Sequence, residues 1–482
     1  MIDLRPVAHV IGLLVTVLGF AMLVPMAVDY AQGSPHGGVF LEAATVTVLV
    51  GLSLTLSTAN AVGERLTLQQ TFLITTGVWL ALPIFGALPF YIGPSGARYV
   101  DAFFEAMSGL TTTGATVLSN LTYQPPGTLV WRAMLQWFGG IGIIVVAMVF
   151  LPELRIGGMQ IFRSEGFDTF GKILPRAQAI ATRISIIYIG LTGACALAYG
   201  VFGMDPFDAI THAMTTVATG GFSNYDLSFA AFPSGVEYVA VVFMILASLP
   251  FVRYVQMLGG SGSALLIDRQ VRGFFWVLVI SVGVMTVWLW TTSGFATETA
   301  FRKALFNVTS IVTGTGYVSA DYNVWGAFPV AAFFFLGLIG GCAGSTSCSV
   351  KIFRYQLLFA SIRTQIRAIH SPHGVFTPRY DGRPVGEDVL SSVMAFFVLF
   401  TVTLGVIAVL LGSTGLDFMT SVSGAAAALA NIGPGLGPVI GPAGTFAPLS
   451  DTAKWILSAA MLIGRLELMA VYAIVTVRFW QA

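Results

Sequence analysis

The stretch TTTGAT (residues 111–116) is the first of four related segments, and its reading decides the fold. ATGGFS (218–223), TGTGYV (313–318) and NIGPGL (431–436) repeat its character, each centred on a glycine: Gly114, Gly220, Gly316 and Gly433. The intervals are 220−114 = 106, 316−220 = 96 and 433−316 = 117 residues, a period of roughly constant length. Each segment follows a run of mixed apolar and small polar residues, such as DAFFEAMSGL (101–110), and precedes a loop and a long apolar stretch. That order predicts a short helix, an extended glycine-centred segment and a long helix, four times over, around one pore.

The chemistry follows from the glycines. A bare K⁺ needs oxygens in place of its hydration shell, and rings of backbone carbonyls provide them. Aiming successive carbonyls one way takes backbone angles that a Cβ resists and glycine tolerates. A short helix aimed at the centre adds its negative C-terminal end to the cation's surroundings. The expected ion ligands are therefore the carbonyls of Thr112, Thr113 and Gly114; of Ala218, Thr219 and Gly220; of Gly314, Thr315 and Gly316; and of Asn431, Ile432 and Gly433.

Composition agrees with a pore. The 482 residues are 56% hydrophobic and 9% charged, and the mean hydropathy is +0.84. Those values exclude an ordinary soluble domain and indicate a polytopic membrane protein in contact with lipids. The first apolar run starts at Pro6, lacks a small-residue cleavage site and is long enough to span, so no secretory signal is expected. A net charge of +1 offers no electrostatic case for nucleic acid. Cys195, Cys342 and Cys348 lie in or beside apolar runs and suggest neither a disulfide framework nor a zinc site.

Taken in order, the chain reads as an all-α polytopic membrane protein with five parts. Residues 1–66 hold two N-terminal transmembrane helices, about 7–28 and 39–62. Pore repeats follow at 67–183, 184–273, 274–387 and 388–482, each with a helix, a re-entrant segment and a second helix, for ten spans in all. Most of the 23 basic residues fall in loops after the second helices, among them Arg155, Arg163, Lys172, Arg269, Arg363, Arg367 and Arg379. The positive-inside rule then places both termini in the cytoplasm. Twelve acids fall on the outer side, Asp101, Glu105, Asp226 and Glu237 among them, which predicts an acidic outer vestibule. Asp101, Asp208 and Asp417 are also expected to cap helices.

Two departures from the repeat predict a gate. In repeat three the second helix is interrupted by GCAGSTSCSVK (341–351), small and polar residues where a span should still be apolar. Gly341, Ala343, Gly344, Ser345, Thr346, Ser347 and Lys351 are expected to form a flexible loop below the filter. In repeat four, Arg465 falls near the middle of the last span. A mid-membrane arginine costs at least ~2.5–3.5 kcal/mol, so it must face a cavity or a partner. It is expected to bond the loop's carbonyls and to repel cations leaving the filter.

With WFGGIGIIV (137–145), GGCAGSTS (340–347) and GRLE (464–467), the four segments make the chain resemble the TrkH branch of the Trk/Ktr/HKT potassium transporters over essentially its whole length. The two extra N-terminal helices fit that branch rather than the shorter KtrB branch. The resemblance implies four fused M1–P–M2 units in pseudo-fourfold arrangement, a homodimer, a bacterial inner membrane location, and K⁺ uptake. It also implies a cytoplasmic ring of TrkA-type subunits that bind nucleotide and regulate opening. The loop at 341–351 corresponds to the intramembrane gating loop, and Arg465 to the basic residue below the filter. Where the family pattern carries a glycine pair after GSTS, this chain has Cys348 and Ser349.

The alternative is an ion-coupled symporter of K⁺ with H⁺ or Na⁺, which would normally show two-fold repeats and intramembrane carboxylates. An enzyme is not expected: GxSxG, GxxxxGK[ST] and HExxH are absent from the sequence. No organic cofactor is called for.

Overall fold

The computed structural model describes residues 2–61, 66–149, 173–466 and 468–481. Arg65, Arg155, Arg163, Lys172 and Glu467 lie outside the described residues. Among the described residues, regular structure is helical apart from one hairpin that pairs Arg379–Tyr380 with Arg383–Pro384.

Among the described residues, six helical segments are long and apolar enough to cross a membrane: Arg5–Ala31, Gly37–Ser57, Leu68–Ile92, Ala181–Val201, Arg269–Thr292 and Glu387–Gly412. Two bent pairs raise the number to eight: Ser234–Ala247 with Phe251–Leu258 at 85°, and Asp451–Arg465 with Leu468–Val475 at 109°. The other two segments expected from sequence are the 24-residue helix Pro126–Val149 and the 11-residue helix Ala327–Gly337. The latter falls short of the roughly 20 residues a span needs because the small-residue loop ends it.

The N-terminal helix Arg5–Ala21 packs on Gly37–Ser57 and on Leu68–Gly86, so the first two spans sit on the outside of repeat one. The centre is built by four short helices: Tyr99–Leu110, Pro206–Val217, Thr297–Val312 and Phe418–Ala430. Most of each is buried, in the last case through an alanine run that lets neighbouring backbones approach. Each packs on the first long helix of its own repeat.

Each short helix also packs on the second helix of the preceding repeat. Pro126–Val149 lies on Pro206–Val217, Ser234–Ala247 on Thr297–Val312, and Ala327–Gly337 on Phe418–Ala430. Asp451–Arg465 then returns to Tyr99–Leu110 and closes the ring. One chain thereby makes a pseudo-fourfold assembly.

The bend in repeat two was not expected; residues 235–257 read as one straight span. Pro250 has no N–H and cannot continue the ladder. The Leu246 carbonyl accepts instead from the Tyr254 hydroxyl at 2.7 Å. The carbonyls of Ala247 and Ser248 are left open at the elbow, and the inner loop of repeat three fills them.

Candidate ion pathway

All four short helices end in the same way. The N–H groups of Thr113, Gly220, Thr315 and Ile432 donate to the carbonyls of Ser108, Thr215, Ser310 and Ala427, five residues back, at 2.8 to 3.0 Å. Those of Thr112, Thr219, Gly314 and Asn431 donate three residues back. This is the Schellman termination, whose C′ residue takes the left-handed conformation. The φ values there are +52° for Thr112, +49° for Thr219, +73° for Gly314 and +52° for Asn431. A β-branched residue in that region carries strain of order 1–3 kcal/mol. Thr112 and Thr219 are held there by tertiary packing.

Two residues further on, φ is positive again: +83° at Gly114, +78° at Gly221, +82° at Gly316 and +102° at Gly433. The central glycine of repeat two is therefore Gly221 and not Gly220, one residue on from the sequence reading. Gly220 stands level with Thr113, Thr315 and Ile432. The corrected intervals are 221−114 = 107 and 316−221 = 95.

The space beside these glycines shows how the strands meet. A Cβ on Gly114 would strike the Gly220 carbonyl oxygen, one on Gly221 that of Thr315, and one on Gly316 that of Ile432. On Gly433 it would lie 2.8 Å from the Thr113 oxygen. Read in order, repeat one meets two, two meets three, three meets four and four meets one. The oxygens of Thr113, Gly220, Thr315 and Ile432 thus form a ring, with the C-terminal ends of four helices directed at it.

A polar side chain on each short helix holds its own strand beyond the glycine. Glu105 accepts from the Val117 N–H at 2.9 Å and from the Thr116 hydroxyl at 2.9 Å. His212 meets the Ser223 hydroxyl at 2.9 Å, Asn307 accepts from the Ser319 N–H at 3.2 Å, and Ser423 from the Leu436 N–H at 2.9 Å. The first three stand at one offset from the central glycine: 114−105 = 9, 221−212 = 9 and 316−307 = 9. Arg132 pairs with Glu105 at 2.8 Å, both almost fully buried, and donates to the Ser223 carbonyl at 2.7 Å. Asn431 ties strand four to strand one through the Thr113 hydroxyl at 2.8 Å.

The outer vestibule is less acidic than expected. Arg98 pairs with Asp101 and Asp451, Arg302 with Glu237 and Glu298, Lys303 with Glu237, and Lys454 with Asp101. Asp205 and Asp417 cap short helices, whereas Asp101 and Asp208 lie within first turns. Among the described residues, Asp226 is the one carboxylate lining the cavity above the ring, and Arg132 shares that lining. Most outer acids are engaged in holding the structure together.

Below the ring lies the inner loop. Residues 340–348 are buried. Cys342 N–H donates to the Ser248 carbonyl at 3.1 Å and Thr346 N–H to that of Ala247 at 3.3 Å, while Phe251 N–H donates back to Gly344 at 2.9 Å. The Thr346 hydroxyl adds a bond to Ala247 at 3.0 Å, and Gln270 Oε1 accepts from the Ala343 N–H at 2.9 Å. Ser347 Oγ reaches up to the Thr313 carbonyl at 2.6 Å and accepts from the Gly341 N–H at 2.8 Å. The Lys351 ammonium donates to the Ser347 carbonyl.

Arg465 is 4% exposed and reaches this loop. Its Nη1 contacts the Cys348 sulfur and donates to the Thr346 carbonyl at 3.4 Å. Its Nη2 donates to the Gly139 carbonyl at 3.1 Å. The loop and Arg465 line a cavity of about 40 Å³ with Ser345, Ser347 and Lys351, room for about three waters. The loop's hold is mostly the elbow at 247–251 and Gln270, with Arg465 adding one backbone bond. Sequence reading missed Gln270, the elbow and the contact of Cys348 with Arg465, having marked Cys348 only as a departure from the family's glycine pair; proline within the apolar run at 235–257 was the available signal for the elbow.

Residues 36–479 match the family model described as TrkH, cation transport protein. The Trk system potassium uptake protein TrkI of Halomonas elongata is 41% identical over 478 residues, covering 99% of this chain and 97% of that protein. The Trk system potassium uptake protein TrkH of Escherichia coli is 36% identical over 487 residues, 99% of each. The crystal structure of the potassium transporter TrkH from Vibrio parahaemolyticus matches with a TM-score of 0.91 at 32% identity, covering 99% of this chain and 100% of that one.

Proposed function

The chain belongs to the TrkH family of cation transport proteins, and from that premise we infer that it carries K⁺ across the bacterial inner membrane between its four glycine-centred strands. The observation that carries this reading is the ring of oxygens from Thr113, Gly220, Thr315 and Ile432, each against the central glycine of the next strand. Carbonyl rings of this kind strip and replace the hydration shell of K⁺, and the four helix C-termini add negative potential. The protein is a transporter rather than an enzyme.

The inner loop and Arg465 act as the gate. The loop lies under the ring, with its Ser347 hydroxyl on the Thr313 carbonyl, and the Arg465 charge beside it opposes a cation leaving the filter. Both termini are cytoplasmic, and the protein works as a homodimer. A cytoplasmic ring of TrkA-type nucleotide-binding subunits docks on the basic inner face and pulls the loop aside. Arg269, Arg363, Arg367 and Arg379 supply a surface for it: they line a cavity of about 650 Å³ whose lining, among the described residues, holds no carboxylate.

The test is cation flux into liposomes containing the purified protein, compared for K⁺, Rb⁺, Na⁺ and Li⁺ with no proton gradient. K⁺ and Rb⁺ should pass at the low rate that a gate closed at rest allows, and Na⁺ and Li⁺ should lag behind them. Flux that requires an imposed H⁺ or Na⁺ gradient would replace this reading with coupled symport.

A further inference from the structure

Gly220 poses a question that the central glycines do not. Its φ lies outside the left-handed region, so its backbone conformation does not demand glycine. What demands it is a neighbour. A Cβ on Gly220 would fall against the side-chain carboxamide of Gln136. Gln136 belongs to the helix Pro126–Val149 of repeat one and is fully buried.

The carboxamide bonds the repeat-two strand on both sides of Gly221. Its Nε2 donates to the Gly220 carbonyl at 2.6 Å, and its Oε1 accepts from the Phe222 N–H at 3.0 Å. A primary amide carries donor and acceptor side by side, so it serves here as a short stand-in for a paired strand. Among the described residues, no side chain donates to the matching carbonyls of Thr113, Thr315 or Ile432. The ring therefore has three oxygens without a side-chain donor and one that is hydrogen-bonded from behind.

We propose that Gln136 is a positioning residue for ion selectivity, acting through the Gly220 carbonyl; this rests on the reading of the four strands as a K⁺ filter. A carbonyl oxygen has two lone pairs, and Gln136 occupies one while the other remains for the ion. The bond fixes where the fourth oxygen of the ring stands. Selectivity for K⁺ over Na⁺ depends on the size of the oxygen cage or on the number and field strength of its dipoles. Both depend on that oxygen's position. The double glycine of repeat two then has a division of labour: Gly221 supplies the backbone angle, and Gly220 makes room for the clamp.

The experiment compares Na⁺ and K⁺ flux in liposomes for Gln136→Met, Gly220→Ala, Gln136→Ala, the double alanine variant and Gly221→Ala. Methionine keeps the side-chain volume and removes both bonds. It should raise Na⁺ flux relative to K⁺ by about fivefold, the factor that one hydrogen bond of ordinary net strength represents. Gly220→Ala should do the same alone and add nothing where Gln136 is already alanine, because its methyl then meets no carboxamide. A residue that merely supports packing would lower yield and melting temperature without moving the flux ratio. A native ratio in folded Gln136→Met, with an altered one in Gly221→Ala, overturns the clamp and leaves the filter standing. A native ratio in both overturns the filter reading and the clamp with it.

Discussion

Replacing Gln270 with methionine tests how the inner loop is held. Gln270 Oε1 accepts from the Ala343 N–H at 2.9 Å, and both residues are buried, at 3% and 5% exposure. Methionine fills the same space and offers no comparable acceptor, so the closed loop keeps a buried, unpaired donor. Such a group costs roughly 1–3 kcal/mol. An open loop would expose that N–H to water in the pore, so the penalty falls on the closed state alone. With a tenfold change for each 1.4 kcal/mol, the closed-to-open ratio should drop by about five- to 150-fold. The assay is Rb⁺ uptake into liposomes without any regulatory subunit, where a gate closed at rest keeps native flux low. Gln270→Met should be leaky in proportion, and Gln270→Glu, which keeps an acceptor, should leak far less. Native flux in folded Gln270→Met, or equal leak in both variants, would refute the idea that this bond holds the gate shut.

Gly114→Ser should relax the preference for K⁺ over Na⁺, since its Cβ would press on the Gly220 oxygen at a φ of +83°; unchanged reversal potentials would show that this strand does not select. Deleting the loop, or Arg465→Ala, should raise K⁺ flux without the regulatory partner and leave selectivity nearly intact. Flux that falls in both, with the protein still folded and dimeric, would make the pair a brace and not a gate. Neutralising Arg363, Arg367 and Arg379 together should weaken binding of the nucleotide-binding ring about tenfold, at roughly 0.5 kcal/mol per exposed charge, as read by co-purification; undiminished association would leave those charges only a topological role. Glu105→Leu strands Arg132 as a buried charge and should lower stability by about 3–5 kcal/mol. An unchanged melting temperature in detergent would contradict the importance given to that pair.

Much of this architecture is legible in the amino-acid order because its determinants are local. Four glycine-centred segments, each after a short amphipathic run and before a long apolar one, suffice to read a fourfold pore. The interruption at 341–351 is visible because small and polar residues cannot hold a lipid-facing span. Arg465 is visible because a charge at mid-membrane must find a partner. In each case the physical demand is written within a few residues of the place where it is met.

Other features exist only once distant segments touch. Repeat two offers two adjacent glycines, and composition cannot choose between them; the choice is made by φ at Gly221 and by Gln136, 84 positions before Gly220 (220−136 = 84), occupying the space where a Gly220 side chain would stand. That one-residue shift also hid the common offset of Glu105, His212 and Asn307, which becomes regular only with Gly221 as the centre. The outer acids read as a vestibule because their number is a property of the sequence, whereas their pairing with Arg98, Arg132, Arg302, Lys303 and Lys454 is a property of the folded ring. The inner loop, finally, shows in the sequence only as a stretch that is not a helix. The elbow at Pro250, Gln270 and Arg465 are brought to it from three other segments of the chain, and they give its backbone the hydrogen bonds that a helix would otherwise have supplied.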